Sequence, residues 1–169
     1  SGGTHAEVVG SCTLSAGNSG VTRSSGLATL NLGTITRSAG STLNVAAPDD
    51  VVLTTSPASG GSTILNAGSA AYGTVAGTEW AAKNAGNTTI VKLSTVGSYT
   101  PTTATTLGGG LYADVASGVD TTLAGNDSSS RTLRFNQSEA RTIDLNGNTA
   151  TLTFGGILVT PNVGANLST

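Results

Sequence analysis

A four-residue element, Thr-apolar-polar-apolar, returns along this chain at Thr29, Thr42, Thr132, Thr142 and Thr151. Within each copy, apolar side chains alternate with polar ones, so a strand made from it buries one face only. Turn residues separate the copies: Ser-Ala-Gly at 38–40, Asn-Gly-Asn at 146–148 and Gly-Gly at 155–156. One strand plus one turn takes about ten residues, the interval expected of a sandwich, a barrel or a solenoid. The pairs Leu133/Phe135, Ile143/Leu145, Leu152/Phe154 and Ile157/Val159 each place two apolar side chains on one face. Stacked coils would superpose these pairs into apolar ladders, with Thr and Asn on the outside. Aromatic residues are 4% of the chain, which suits a narrow interior filled by Leu, Ile and Val rather than a sandwich core. The expected fold is therefore all-β, a parallel β-helix (β-solenoid).

Further strands are expected at 28–32, 33–36, 41–45, 51–54, 90–93, 131–135, 141–145, 150–154 and 156–160. Residues 56–79 are rich in Gly, Ala and Ser and alternate weakly, and Thr and Pro dominate 98–106. The segment 56–110 reads as a looser, loop-rich excursion within a single domain spanning 1–169. Glu79-Trp80-Ala81-Ala82-Lys83 is the one stretch with the composition of a helical turn.

Charged residues are 9% of the chain and the net charge is −2. So few charges leave no electrostatic footprint for nucleic acid or an anionic membrane surface. No apolar run approaches the roughly 20 residues of a membrane-spanning helix. Cys12 is the only cysteine, which excludes an internal disulfide framework and a thiolate zinc site. The polar opening Ser1-Gly2-Gly3-Thr4-His5 does not read as a signal peptide, and the chain has no Met. The expectation is a processed chain or a segment of a longer one. Little Cys with abundant Thr, Ser, Asn and Gly suits a bacterial surface protein.

Residues for chemistry are sparse. His5 is the only histidine and has no carboxylate or serine at triad spacing. Asp114, Asp120 and Asp127 cluster in sequence without a calcium-loop pattern, and read as turn caps. Asp49-Asp50 reads the same way. Asp144 points away from the apolar pair beside it and is expected to form an exposed charge pair with Arg141 or Arg134. Gly108-Gly109-Gly110 lacks the lysine of a phosphate loop and reads as a turn. Trp80, Tyr72, Tyr99 and Tyr112 are the candidate ligand-binding residues, because aromatic faces stack on the apolar faces of sugars. No catalytic residue, metal site or cofactor is expected.

The runs Leu30 to Gly40, Gly77-Thr-Glu-Trp-Ala81, Thr132-Leu-Arg-Phe-Asn136 and Gly155-Gly-Ile-Leu-Val-Thr160 resemble the autotransporter-associated β-strand repeat proteins, long secreted or surface chains of bacteria. That resemblance implies a right-handed parallel β-helix inside a longer exported polypeptide, and no defined catalytic activity. The expected function is structural: an extracellular or cell-surface solenoid within a fibre, matrix or adhesin, not an enzyme. Its expected partners are neighbouring repeats or further copies of itself, since a coil leaves unpaired strand edges at each end. The alternatives are a carbohydrate-binding module with a glycan partner, and a polysaccharide-cleaving β-helix enzyme.

Overall fold

The computed structural model describes residues 5–22, 28–46, 64–67, 70–84 and 89–164. In order these form β1 (His5–Val8), β2 (Ser11–Leu14), β3 (Gly17–Val21), β4 (Ala28–Asn31), β5 (Thr34–Arg37) and β6 (Ser41–Val45). Next come β7 (Asn66–Ala67), β8 (Ala70–Ala71), β9 (Gly73–Val75), β10 (Glu79–Lys83), β11 (Ile90–Lys92) and α1 (Leu93–Val96). The remainder are β12 (Thr100–Pro101), β13 (Tyr112–Asp114), β14 (Thr121–Thr122), β15 (Thr132–Phe135), β16 (Ile143–Asp144) and β17 (Gly156–Val159). The expected strand at 51–54 and Asp49-Asp50 lie outside the described residues. The chain divides into two compact units, residues 1–67 with 72–97 and residues 68–71 with 98–169.

The first unit opens with two stacked coils of three strands each. β1 pairs with β4, β2 with β5 and β3 with β6, all parallel. His5 stands opposite Ala28, Ser11 opposite Thr34 and Gly17 opposite Ser41, so one coil takes 23–24 residues. Parallel pairing in fixed register puts like positions above one another. Leu14, Leu32, Ile35, Leu43 and Val45 are thereby gathered into one buried cluster, with Cys12, Val21 and Leu30 packed against it. Gly33 makes the corner between β4 and β5. Its φ of +63° is a conformation that L side chains rarely adopt, and a Cβ there would collide with the backbone of Val9 and Gly10 in the coil beneath. The Asn31 side chain accepts from the Gly33 N–H at 2.9 Å and fixes that corner.

β9 then adds in parallel to β6, and the regular winding stops. β9, β10 and β11 pair antiparallel, which is the irregular middle in structural terms. Glu79–Lys83, expected as a helical turn, is strand β10. Pairing with β9 on one side and β11 on the other overrides the helical preference of its alanines. Among the described residues the helical turn falls instead at Leu93–Val96.

The second unit is also a stack of coils. β12, β13, β15 and β17 form one parallel sheet, β14 pairs with β16, and Asp127 bridges Ala150. Successive coils lengthen: Tyr112 faces Thr132, Thr121 faces Ile143, and Thr132 faces Gly156. Leu107, Ala113, Val115, Leu123 and Leu133 are its buried core, and Phe135, Ile143, Ala150 and Leu152 pack against it. Four expected ladder residues, Leu133, Phe135, Ile143 and Leu152, are thus in the interior. Ile157 stacks in register on Leu133, and Val159 on Phe135, as parallel coils require.

The other ladder positions need correction. Ile157 is 61% exposed, Val159 60% and Leu145 45%. The run Gly156-Ile157-Leu158-Val159 is apolar on both faces, and the face that the fold covers is that of Leu158, which is buried, and not that of Ile157 and Val159. β17 has β15 on one side and no partner among the described residues on the other. Leu145 opens the turn through Asn146 (φ 50°) and Gly147 (φ 74°), closed by the Asn148 N–H on the Leu145 carbonyl at 2.7 Å. Phe154 does not join the core cluster; its ring lies against the Arg131 guanidinium, 5.1 Å from the centroid.

Candidate functional site

The aromatic residues singled out for ligand stacking are packing residues. Tyr72, Trp80 and Tyr112 are 2%, 4% and 5% exposed, so none offers a face to a sugar. Tyr72 sits in the core cluster of the first unit with the Arg37 guanidinium 5.3 Å from its ring. Burial pushes its hydroxyl pKa up to about 12, against a smaller opposing effect of Arg37. Tyr99, in the second unit, is half-buried and carries the Arg134 guanidinium stacked 3.6 Å from its centroid. That stacking occupies the ring face a ligand would need.

The outward polar side chains form the most extensive pattern in the molecule. In the first unit the Thr13 and Thr36 hydroxyls bond at 3.1 Å, and Thr42 donates to Asn18 Oδ1 at 3.1 Å. Thr74 donates to Asn44 Oδ1 at 3.0 Å, and the Gly77 N–H reaches the same oxygen at 2.9 Å. In the second unit the Thr142 N–H donates to Asp120 Oδ1 at 2.9 Å and the Thr149 N–H to Asn126 Oδ1 at 2.9 Å. Thr160 and Asn162 both donate to Asn136 Oδ1, at 2.8 and 3.0 Å. Each of these bonds joins one winding of the chain to the next. They are the polar counterpart of the apolar ladders inside.

The strongest such link is ionic. Arg134 donates from Nε to Asp114 Oδ1 at 2.8 Å and from NH2 to Oδ2 at 2.9 Å, a two-point pair on adjacent strands. Arg141 pairs with Glu139 and lies 3.9 Å from Asp120. Asp144 therefore takes neither arginine. Its Oδ1 accepts the Asn146 N–H at 2.8 Å and caps the turn that follows.

Asp127 is held by three hydrogen bonds. Its carboxylate accepts the Leu107 N–H at 2.8 Å, the Ser129 N–H at 3.0 Å and the Ser129 hydroxyl at 2.6 Å. Partial burial alone would raise its pKa; the hydrogen bonds from Ser129 and Leu107 outweigh that and hold it below the usual carboxylate value. With Thr105, Thr106, Gly108, Gly109 and Asn126 it lines an open depression of about 570 Å³. Its oxygens are taken up by the Leu107 and Ser129 N–H groups and the Ser129 hydroxyl, which makes it a corner cap. Gly108 and Gly109 have φ of 90° and 67° and make that corner, as the reading of 108–110 as a turn expects. No group of three or more His, Cys, Asp or Glu able to hold a metal occurs among the described residues.

No described helix is long and apolar enough to cross a membrane. Comparison with protein-family models, with curated proteins and with solved structures finds no match to this chain.

Proposed function

We propose that this chain is a structural solenoid element of a bacterial surface or extracellular assembly, a fibre, matrix or adhesin, and not an enzyme. The observation that carries this reading is the use made of the outward polar side chains. Thr13 with Thr36, Thr42 with Asn18, Thr74 with Asn44 and Arg134 with Asp114 all engage a neighbouring coil. A binding or catalytic surface keeps its polar groups directed at a ligand. Here those side chains fasten one coil to the next, and rigidity is what the arrangement produces. The low charge, the single Cys12 and the resemblance of 30–40, 77–81, 132–136 and 155–160 to autotransporter-associated repeats support placement outside the cell.

The buried rings of Tyr72, Trp80 and Tyr112 argue against the glycan-binding alternative. The test is the full chain applied to a broad glycan array and incubated with acidic and neutral polysaccharides. No saturable binding and no chain shortening are expected. Saturable retention of one glycan class, or release of new chain ends, would overturn the structural reading.

A further inference from the structure

Within the second unit, successive junctions between windings are fastened by different chemistry. Residues 107–123, 126–145 and 149–163 stack in that order. Three carboxylates fasten the first of these windings to the second. Asp127 accepts the Leu107 N–H at 2.8 Å. Asp114 takes Arg134 through both oxygens, at 2.8 and 2.9 Å. Asp120 accepts the Thr142 N–H at 2.9 Å and lies 3.9 Å from the Arg141 guanidinium. The partners are 20, 20 and 22 residues apart, so the three links mark successive points along one turn of the solenoid. The next junction uses amides instead. Asn126 accepts the Thr149 N–H, and Asn136 accepts from Thr160 and Asn162.

A carboxylate that gains a proton loses its charge and much of its strength as an acceptor, whereas an amide does not titrate. The other charges at the first junction are engaged elsewhere. Glu139 pairs with Arg141, Arg131 lies against Phe154, and Asp144 caps its own turn through the Asn146 N–H. Tyr99 stacks on Arg134, and Tyr112 stands opposite Thr132. Protonation of Asp114 therefore leaves Arg134 charged and largely buried without its counterion. Two neutral bonds also cross this junction: the Ser130 hydroxyl donates to the Gly110 carbonyl at 3.1 Å, and Asn148 Nδ2 to that of Leu123 at 2.9 Å. The apolar core spans both windings as well. Loss of the carboxylates thus loosens the junction without parting it.

We propose that the junction between 107–123 and 126–145 is an acid-sensitive seam, which opens when Asp114, Asp120 and Asp127 are protonated while the amide-fastened junction beside it stays closed. This goes beyond the structural reading above and does not depend on it.

The test is residue-resolved amide hydrogen exchange on the full chain, read as protection factors so that the intrinsic pH dependence of exchange cancels. The amides of Val115, Thr121, Leu123 and Arg131 close the seam on the carbonyls of the facing winding. From about pH 6 to about pH 2.5, across the carboxylate range, they are expected to lose about tenfold or more in protection, as bonds to charged groups become bonds to neutral ones. The amides of Thr153, Phe154 and Thr160 close the next junction and should keep theirs. An equal or larger loss at the next junction, or no loss at the seam, would overturn the proposal. The double variant Asp120→Asn with Asp127→Asn keeps an acceptor oxygen at both positions and leaves the Arg134 pair intact. Its seam should lose less protection in acid than that of the unmodified chain. Asp120→Asn alone, at a side chain 61% exposed, serves where the double variant does not fold. An undiminished acid loss in the variant would overturn the assignment to these carboxylates. None of these outcomes bears on the glycan and polysaccharide tests of the structural reading.

Discussion

Arg134 and Asp114 stand directly opposite each other on β15 and β13, and their side chains close a two-point ion pair with the guanidinium stacked on Tyr99. The side chains are only 8% and 17% exposed. Such a pair locks the register of two coils, because sliding one strand by a residue turns one partner to the opposite face. Removing one partner strands a buried charge, whereas removing both does not. Asp114→Ala should therefore destabilise the chain by about 3 kcal/mol or more. The double variant Asp114→Leu with Arg134→Met should lose much less. A double-mutant cycle by denaturant unfolding measures the coupling, and additive losses would show that the pair does not act as a unit.

Leu123 is fully buried and Leu133 is 7% exposed, while Ile157 is 61% exposed although it stacks on Leu133 in register. Leu123→Ala should cost about 2–5 kcal/mol, the range for cavity-forming substitutions in a close-packed core. Ile157→Ala should stay within about 0.5 kcal/mol in the monomer, as exposed substitutions do. Urea unfolding of the two variants checks both. Equal losses would contradict the placement of the open coil.

At the corner between β4 and β5, Gly33 combines a positive φ with a Cβ position already occupied by the backbone of Val9 and Gly10. Gly33→Ala must shift one coil against the other. The expected loss exceeds the roughly 1 kcal/mol of backbone strain alone, and hydrogen exchange should quicken in β1 and β4 first. A Gly33→Ala chain with unchanged protection in both strands would refute the contact.

The Asp127 carboxylate has a folded pKa below the 3.8 of an unperturbed aspartate. The unfolded state then binds the proton more readily. Its contribution to stability is full well above pH 3.8 and is lost as the pH falls below that value toward the folded pKa. Asp127→Asn should flatten that part of the stability–pH curve. An identical acid limb in the variant would show that the Leu107 and Ser129 bonds do not favour the ionised carboxylate.

The strands with regular alternation were legible in the sequence. β4, β5, β6 and β15 fall where Leu30, Ile35, Leu43 and Leu133 alternate with Thr, Asn, Ser or Arg, and β17 falls on the apolar run Ile157-Leu158-Val159. β1–β3 were not legible, because strand positions there hold Glu7, Cys12 and Ser19, and β4, β5 and β6 supply the apolar bulk. Ile157 and Val159 read as core because the run 157–159 is apolar on both faces and the buried member is Leu158, and Leu145 read as core because the pattern counts it in the strand, whereas it opens the turn. The Arg134–Asp114 pair was hidden for a different reason. Its members are twenty residues apart, and only the register between β13 and β15 brings them together. Trp80 and Tyr72 read as binding residues because an aromatic in a Gly-rich segment gives no sign of the strands that bury it.

The outward side chains either fasten coils or serve a ligand, and thermal unfolding separates the two. Asn44, Asn126 and Asn136 each accept a bond across coils through Oδ1. Replacing all three with Ala should remove about 1 kcal/mol per bond lost, which is roughly 2–4 °C of melting temperature each for a chain of this size. The three residues accept five such bonds, so a combined fall of about 10 °C or more is the result expected of fasteners. An unchanged melting temperature in the triple variant would contradict the claim that these residues hold the solenoid together.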